Sequence, residues 1–305
     1  MNKDLYYQHS GKIGMGGVIG ILLAVPVLTA VLGFIYGFAI WYIPFIYLNF
    51  FITIGFGFGS GFVAGMMGYW GKIRNKSFML LMGLLTGLLA EYFGWVFWIY
   101  AASEQEVLTF APGEIFYFLG QLTDTGVWSI FGATPTGGVL ITIWIVEALI
   151  IIGAATIAAI SPTADVPYCE DCDKWTDEVP VTGAIQSLDD NQALVNALEQ
   201  GNTDLLKYLR PVPADQQKAL QVHLSNCPNC ENSWFLKIEE KTRKYNKKNE
   251  IEEDAEDLVL NLSIHAQIAH DLRDWAEKMK EGVFFGEELS LADEAPGQED
   301  EKTAE

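Results

Sequence analysis

Between Lys12 and Lys72 the chain has no Asp, Glu, Lys or Arg: 59 consecutive residues carry no formal charge. At about 1.5 Å per helical residue such a run is roughly 90 Å long, about two crossings of a bilayer. A single soluble globular domain is excluded. Charge is scarce throughout residues 1–165, which hold 5 Lys or Arg and 8 Asp or Glu, a net of −3. Residues 166–305 hold 14 and 31, a net of −17, which argues against nucleic acid as the partner of that half. Also missing are a nucleophile–base pairing, a phosphate-binding glycine loop and a Walker-type lysine. Asp, Glu and His occur at no spacing that a catalytic site requires, so an enzyme is not expected. Cysteine is absent before residue 169, and all four cysteines follow the last apolar run.

Four apolar stretches are long enough for a hydrocarbon core, which needs about 20 residues. They run from about Gly16 to Tyr42, Phe45 to Tyr69, Phe78 to Ala102 and Gly138 to Ile160, and the first two are separated near Ile43-Pro44, where proline interrupts a helix. None has the polar residue at every turn that an amphipathic soluble helix shows. The expected fold is an α-helical membrane bundle of four transmembrane helices followed by a small α+β zinc-ribbon-like domain. The expected boundaries are a membrane domain at 1–163 with an outer loop at 103–136, a cytoplasmic domain at 164–280 and an acidic tail at 281–305.

Lysine and arginine set the expected orientation. Lys3 and Lys12 flank the first span, and Lys72, Arg74 and Lys76 sit between the second and third. The segment from Ser103 to Thr136 has Glu104, Glu106, Glu114 and Asp124 but no basic residue. The positive-inside rule therefore puts both termini in the cytoplasm, and the first apolar run is too long for a cleaved signal peptide. In the outer loop, Pro112-Gly113-Glu114 reads as a helix start, with Ile115, Phe116, Phe118, Leu119 and Leu122 on one face. That helix would lie on the outer membrane surface with Trp128 as an interfacial anchor, or else the segment is a loop packed over the bundle.

Two features of the spans bear on function. Gly57, Gly61 and Gly65 repeat every fourth residue, as do the pairs Gly55/Gly59 and Gly83/Gly87, a spacing that lets helix backbones approach closely. Internal packing and a homo-oligomer through these glycine-rich spans are the two readings. Glu91 and Glu147 fall near mid-span, where an acidic group costs about 2.5 to 3.5 kcal/mol and needs a reason. They are either hydrogen-bonded packing groups or the working residues of a proton- or cation-linked transporter or channel.

The cysteines form the pairs Cys169-Glu170-Asp171-Cys172 and Cys227-Pro228-Asn229-Cys230, with 54 residues between them. Two residues between cysteines let both thiolates of one turn reach the same ion, and two such turns supply the Cys₄ set that Zn²⁺ favours. A reducing compartment disfavours disulfides and supports the same reading. A redox dithiol and an iron–sulfur cluster are the competing uses of these cysteines. The long separation implies an inserted subdomain. Asp189-Asp190 caps a helix to about Glu199, Gly201-Asn202 ends it, and Thr203 to Tyr208 form a second short helix. A helix from about Pro213 to Leu224 is expected to deliver the second cysteine pair. Trp234 to Tyr245 and Leu258 to Ile264 read as an antiparallel hairpin turning at Tyr245–Asn249. A helix then runs to Lys280 with Ile268, Leu272 and Trp275 inward. His265 and His270 share no helical face, so no second metal site is expected. From Glu281 the tail, with nine acids and one lysine, is expected to be disordered.

His223, Cys227 and Cys230 form a His-x3-Cys-x2-Cys run that resembles the zinc motif of bacterial zinc-containing anti-sigma factors. In that family the zinc domain precedes a single span, whereas here it follows four. The likeness makes His223 a substitute ligand, or a group that supports the ligands, and implies sequestration of a regulator. Taken with the opening Tyr6-Tyr7-Gln8-His9-Ser10-Gly11-Lys12, the four spans and the cysteine pairs resemble a family of uncharacterised bacterial membrane proteins with a C-terminal zinc ribbon. That resemblance implies a bacterial inner membrane but no particular activity. The function expected is therefore a membrane-anchored, zinc-binding interaction or regulatory protein that offers its cytoplasmic domain to a protein partner. Transport through Glu91 and Glu147, with the zinc domain as gate, is the alternative. A thiolate switch that senses oxidants is a third reading.

Overall fold

A computed structural model of the chain describes residues 3–43, 45–129, 132–188, 190–213, 215–245 and 251–283. The chain divides into two compact units, His9–Val166 and a second made of Met1–Gln8 with Pro167–Glu305.

The first unit is helical: α1 (Met15–Tyr42), α2 (Ile46–Trp70), α3 (Lys76–Ala102), α4 (Pro112–Thr125) and α5 (Gly137–Ile160). Four of these, all but α4, are long and apolar enough to cross a membrane. Apolar residues cover both their inner and outer faces, so the side chains turned away from the bundle are hydrophobic too: Leu22 is 67% exposed, Phe51 67% and Leu149 64%. Asn75 caps α3, its Oδ1 accepting from the Phe78 amide at 2.9 Å. Pro44, expected to separate α1 from α2, lies outside the described residues.

α1 packs on α2 and α3, and α5 packs on the same two helices from the other side. Glycine makes the second arrangement feasible. Gly57, Gly61 and Gly65 of α2 lie against the α5 backbone near Ile151, Ala155 and Ala158, while Gly83 and Gly87 of α3 lie against Thr156 and Ile152. Both stripes are therefore used inside the bundle; Gly55 has open space around its Cα. α4 packs across the end of α3, with Ile115 buried and Phe118, Leu119 and Leu122 set against Val96, Trp98 and Ile99. Phe116 does not share that face and is 72% exposed. It follows Ile115 by about 100° around the helix, whereas positions 118, 119 and 122 return to the same side.

The second unit contains β1 (Tyr168–Cys169), β2 (Lys174–Trp175), β3 (Asp177–Pro180), β4 (Ile185–Gln186), α6 (Asn191–Glu199), α7 (Asp204–Lys207), β5 (Lys218–Asn226), β6 (Trp234–Tyr245), β7 (Ile251–Ile264) and α8 (Ala266–Lys280). β1 and β2 form a small antiparallel hairpin, and the rest form an antiparallel sheet in the order β3-β5-β6-β7, with β4 also paired to β5. The core lies between this sheet and the helices, around Leu194, Leu220, Leu236, Leu262 and Leu272, each at most 2% exposed. Full burial of such side chains stabilises the unit by about 1.5 to 3 kcal/mol each.

The segment expected as a helix from about Pro213 to Leu224 is corrected here: Lys218–Asn226 is the strand β5. Its pattern has period two, with Leu220, Val222 and Leu224 buried and Gln221 and His223 on the other face. A helix would turn Val222 to the side opposite Leu220 and Leu224. A strand sets all of them on the core and pairs with β3 on one side and β6 on the other.

Other elements match their sequence signals. Asp190 caps α6 through a 2.9 Å bond from the Gln192 amide. Gly201, with φ +78°, ends that helix, where the Asn202 amide returns to the Ala197 carbonyl at 2.9 Å. β6 and β7 form the long hairpin, and its outer part is held by ion pairs such as Arg243 Nη2 to Glu253 Oε2 at 2.6 Å. Asp189, residues 246–250, which include most of the turn expected at Tyr245–Asn249, and everything beyond Val283 lie outside the described residues.

One feature had no sequence signal. The N-terminal residues join the sheet edge: Tyr6 bridges Leu262, the Tyr7 amide donates to the Asn261 carbonyl at 2.9 Å, and the Tyr7 ring packs edge-on against Phe235 at 5.2 Å. The Tyr6 hydroxyl donates to Glu199 Oε1 at 3.0 Å.

Candidate metal centre

Each cysteine pair sits on a tight turn flanked by paired strands. Tyr168 and Cys169 of β1 pair with Trp175 and Lys174 of β2, so residues 170–173 must reverse the chain, and Asp173 takes a left-handed φ of +54° to do so. The Tyr168 ring packs edge-on against Trp175 at 4.9 Å, and its hydroxyl donates to the Asp173 carboxylate. The second turn joins β5 to β6 and is closed by the Cys227 amide donating to the Ser233 carbonyl at 3.2 Å.

These turns bring Cys169, Cys172, Cys227 and Cys230 together. Their four Sγ atoms all lie within 4.8 Å of one another. Cys169 and Cys230 are 3.7 Å apart at sulfur, too far for a disulfide bond of about 2.05 Å, and all four cysteines are free. Cys169 and Cys227 are buried, whereas Cys172 and Cys230 are half-buried. Donors point at the sulfurs: the Asn229 amide lies 3.5 Å from Cys227 Sγ and the Ser233 hydroxyl 3.4 Å from Cys169 Sγ.

The electrostatics of Cys169 and Cys172 suit a bound cation. Burial pushes the Cys169 thiol up, but hydrogen bonds from Ser233, the Cys172 amide and the neighbouring thiols outweigh it and bring the group down to about 7. Cys172, hydrogen-bonded to Cys230, partly desolvated and facing the Cys169 charge, is pushed up to about 12. A negative charge therefore forms readily at Cys169 and is resisted at Cys172. A metal cation removes that resistance, because it neutralises the thiolates that coordinate it. The four cysteines form a cluster able to bind a metal ion, and among the described residues it is the one such group.

His223 is not brought into this cluster. It lies on β5 with its Nδ1 3.0 Å from Glu178 Oε1 and its Nε2 3.7 Å from Glu239 Oε2. Lys237, 2.5 Å from Glu239, lies on the same face, and the neighbouring His223 imidazole holds the Glu178 carboxyl below its ordinary value. His265 and His270 are also elsewhere: His265 precedes α8, and His270 packs edge-on against Trp234 at 5.4 Å.

Glu91 and Glu147 converge, although they stand on different helices. Both line one cavity of about 50 Å³ in the helical unit. The Tyr36 hydroxyl donates to Glu147 Oε1, and the Trp95 indole donates to Glu91 Oε1 at 2.7 Å. Trp128, expected as an interfacial anchor, also lines this cavity. Sequence spacing had no means of pairing residues 56 positions apart on separate helices; only the packing of α3 on α5 does so.

Comparison with protein-family models, with curated proteins and with solved structures finds no match to the chain.

Proposed function

We propose that this protein is anchored in a bacterial inner membrane by α1, α2, α3 and α5, and that its zinc-ribbon-like domain presents a rigid surface to a cytoplasmic protein partner. The convergence of four thiols from two turns carries this reading. Zinc held by four thiolates at about 2.3 Å has sulfur–sulfur edges of about 3.8 Å, and the 3.7 Å between Cys169 and Cys230 agrees with such a site. The mutual spacing suits one ion better than a multi-iron cluster, in which inorganic sulfides separate the thiolates. The cysteines themselves hold the ion, and Ser233 and the Asn229 amide stabilise charge on the sulfurs. Zinc supplies folding free energy at such a site and no redox chemistry.

The apolar outer faces of the four long helices support insertion. The bond between Tyr7 and Asn261 supports placing the N-terminal residues and the C-terminal domain on one side of the membrane, as an even number of crossings requires. The cluster of Lys72, Arg74 and Lys76 favours the cytoplasmic side. The net charge of −17 after residue 165 favours a basic protein partner over nucleic acid.

The test is metal analysis of the full chain purified in mild detergent, with partner capture from native membranes for the wild type and Cys227→Ser. The expected result is one zinc per chain and a stoichiometric partner lost in the variant. A chain without metal, whose C-terminal unit resists protease equally in both forms, would overturn the reading.

A further inference from the structure

The cavity between α1, α3 and α5 joins two features that need each other chemically. The first is a pair of carboxyl groups without a basic counterpart: Glu91 and Glu147 both reach it, and none of the described residues lining it is Lys, Arg or His. One oxygen of each carboxylate already accepts an internal hydrogen bond, from Trp95 and from Tyr36. The second, independent feature is an aromatic wall. Trp95, Trp98, Trp128 and Trp144 line the same space as the Tyr36 ring. Trp95 holds Trp144 edge-on at 5.2 Å and Trp98 edge-on at 5.7 Å, while Tyr36 stacks on Phe56 at 4.4 Å. These contacts fix Trp95, Trp98, Trp144 and Tyr36, so that part of the wall is preformed.

Size and lining chemistry select the ligand. A volume of about 50 Å³ holds roughly three to five water-sized groups, at about 10 to 15 Å³ each. A nucleotide or a sugar does not fit. A dehydrated Ca²⁺ or Mg²⁺ needs six or more oxygen ligands, and two carboxylates with one phenol in an indole-lined space do not supply them. An anion meets two carboxyl groups here and no basic side chain among the described lining residues. An organic ammonium group satisfies both features: its charge faces the carboxylates, and its carbon substituents and diffuse positive surface meet the aromatic faces. We infer that this cavity is a binding site for an alkylammonium group, carried either by a small solute or by a lipid head group. The inference does not depend on metal at the cysteines.

The full chain is reconstituted in nanodiscs of phosphatidylglycerol alone. Tryptophan fluorescence is titrated with choline and with ethanolamine, against NaCl and KCl at matched ionic strength. The expected result is a saturable response to the ammonium compounds and none to the salts, with affinity weakened roughly thirtyfold or more in Glu147→Gln. Trp144→Ala weakens choline more than ethanolamine, since the methylated cation depends more on the aromatic wall. Repetition in discs containing phosphatidylethanolamine or phosphatidylcholine assigns the source. A lower apparent affinity for the free compound identifies a lipid head group, and an unchanged one identifies a soluble ligand. The inference is overturned by a response no greater than that to matched salt. Undiminished binding in both Glu91→Gln and Glu147→Gln also overturns it. Thermal unfolding of each variant checks that it folds; if Glu147→Gln does not, Glu91→Gln and the wild-type salt comparison decide.

Discussion

A Cβ placed on Gly61 of α2 would stand 2.0 Å from the carbonyl oxygen of Ala155 on α5. At this point the two helices touch backbone to backbone, and no residue but glycine fits without moving one of them. Gly61→Ala is expected to destabilise the helical unit by about 1 to 3 kcal/mol, the usual cost of overpacking. Gly153→Ala, on α5 with no neighbouring atom within 4 Å, is the control and is expected to be neutral or slightly stabilising. Thermal unfolding in one detergent measures both, and equal melting temperatures would show that the close contact is unimportant.

Metal removal is expected to act on one unit only. A strong chelator, or Cys169→Ser, should expose the C-terminal unit to protease while the helical unit keeps its helix content, because all four thiols belong to the former. Limited proteolysis alongside far-ultraviolet circular dichroism separates the two. Simultaneous loss of both units would show that the helical bundle depends on the metal.

Glu240 ties α6 to the sheet. Its Oε1 accepts from Ser187 Oγ at 2.5 Å and from Asn191 Nδ2 at 2.9 Å, and its Oε2 lies 3.7 Å from Lys218 Nζ. Burial opposes the charge, but these donors outweigh it and hold the carboxyl below its ordinary value. Its stabilising contribution is therefore present above the unfolded carboxylate value, near pH 4.3, and disappears as the pH falls through the lower folded value. Glu240→Ala should cost about 2 kcal/mol at neutral pH, and less below that window, by leaving two donors without their acceptor. Denaturant unfolding at pH 7 and at strongly acidic pH tests this, and a cost that does not depend on pH would refute it.

Tyr6 supplies the opposite dependence. Burial and its bond to Glu199 push the phenol up to about 12. A raised value means that the contribution is complete below the unfolded tyrosine value, near pH 10, and is lost as the pH rises toward 12. Hydrogen exchange at the Tyr7 amide is expected to accelerate across that window in the wild type. Tyr6→Phe should show faster exchange already at neutral pH, and identical exchange in the two proteins would dismiss the hydroxyl as an anchor.

Much of the architecture was legible in the sequence. The four long helices follow from runs whose length and lack of charge leave no other use, and α6 begins and ends at its cap and its glycine. The pairing of Cys169 and Cys172 with Cys227 and Cys230 was legible because residues two apart on a turn can share an ion. β5 was misread for a physical reason. Between Pro213 and Leu224, Ala, Gln and Leu have good helix propensity, and the alternation of Leu220, Val222 and Leu224 covers only five residues. Its place between β3 and β6 decided the outcome, since the sheet needs those three side chains on one face.

The sequence by itself determined where the chain is apolar over long stretches, and which thiols can share one ion, because both are local consequences of composition and spacing. Tertiary structure alone decided which helix each glycine stripe meets, that His223 faces Glu178 and stays apart from the thiols, and that Tyr6 and Tyr7 close the sheet edge. It alone also set Glu91 and Glu147 around one aromatic cavity. Such relationships join residues far apart in the chain, and their energy exists only once the intervening helices and strands have packed.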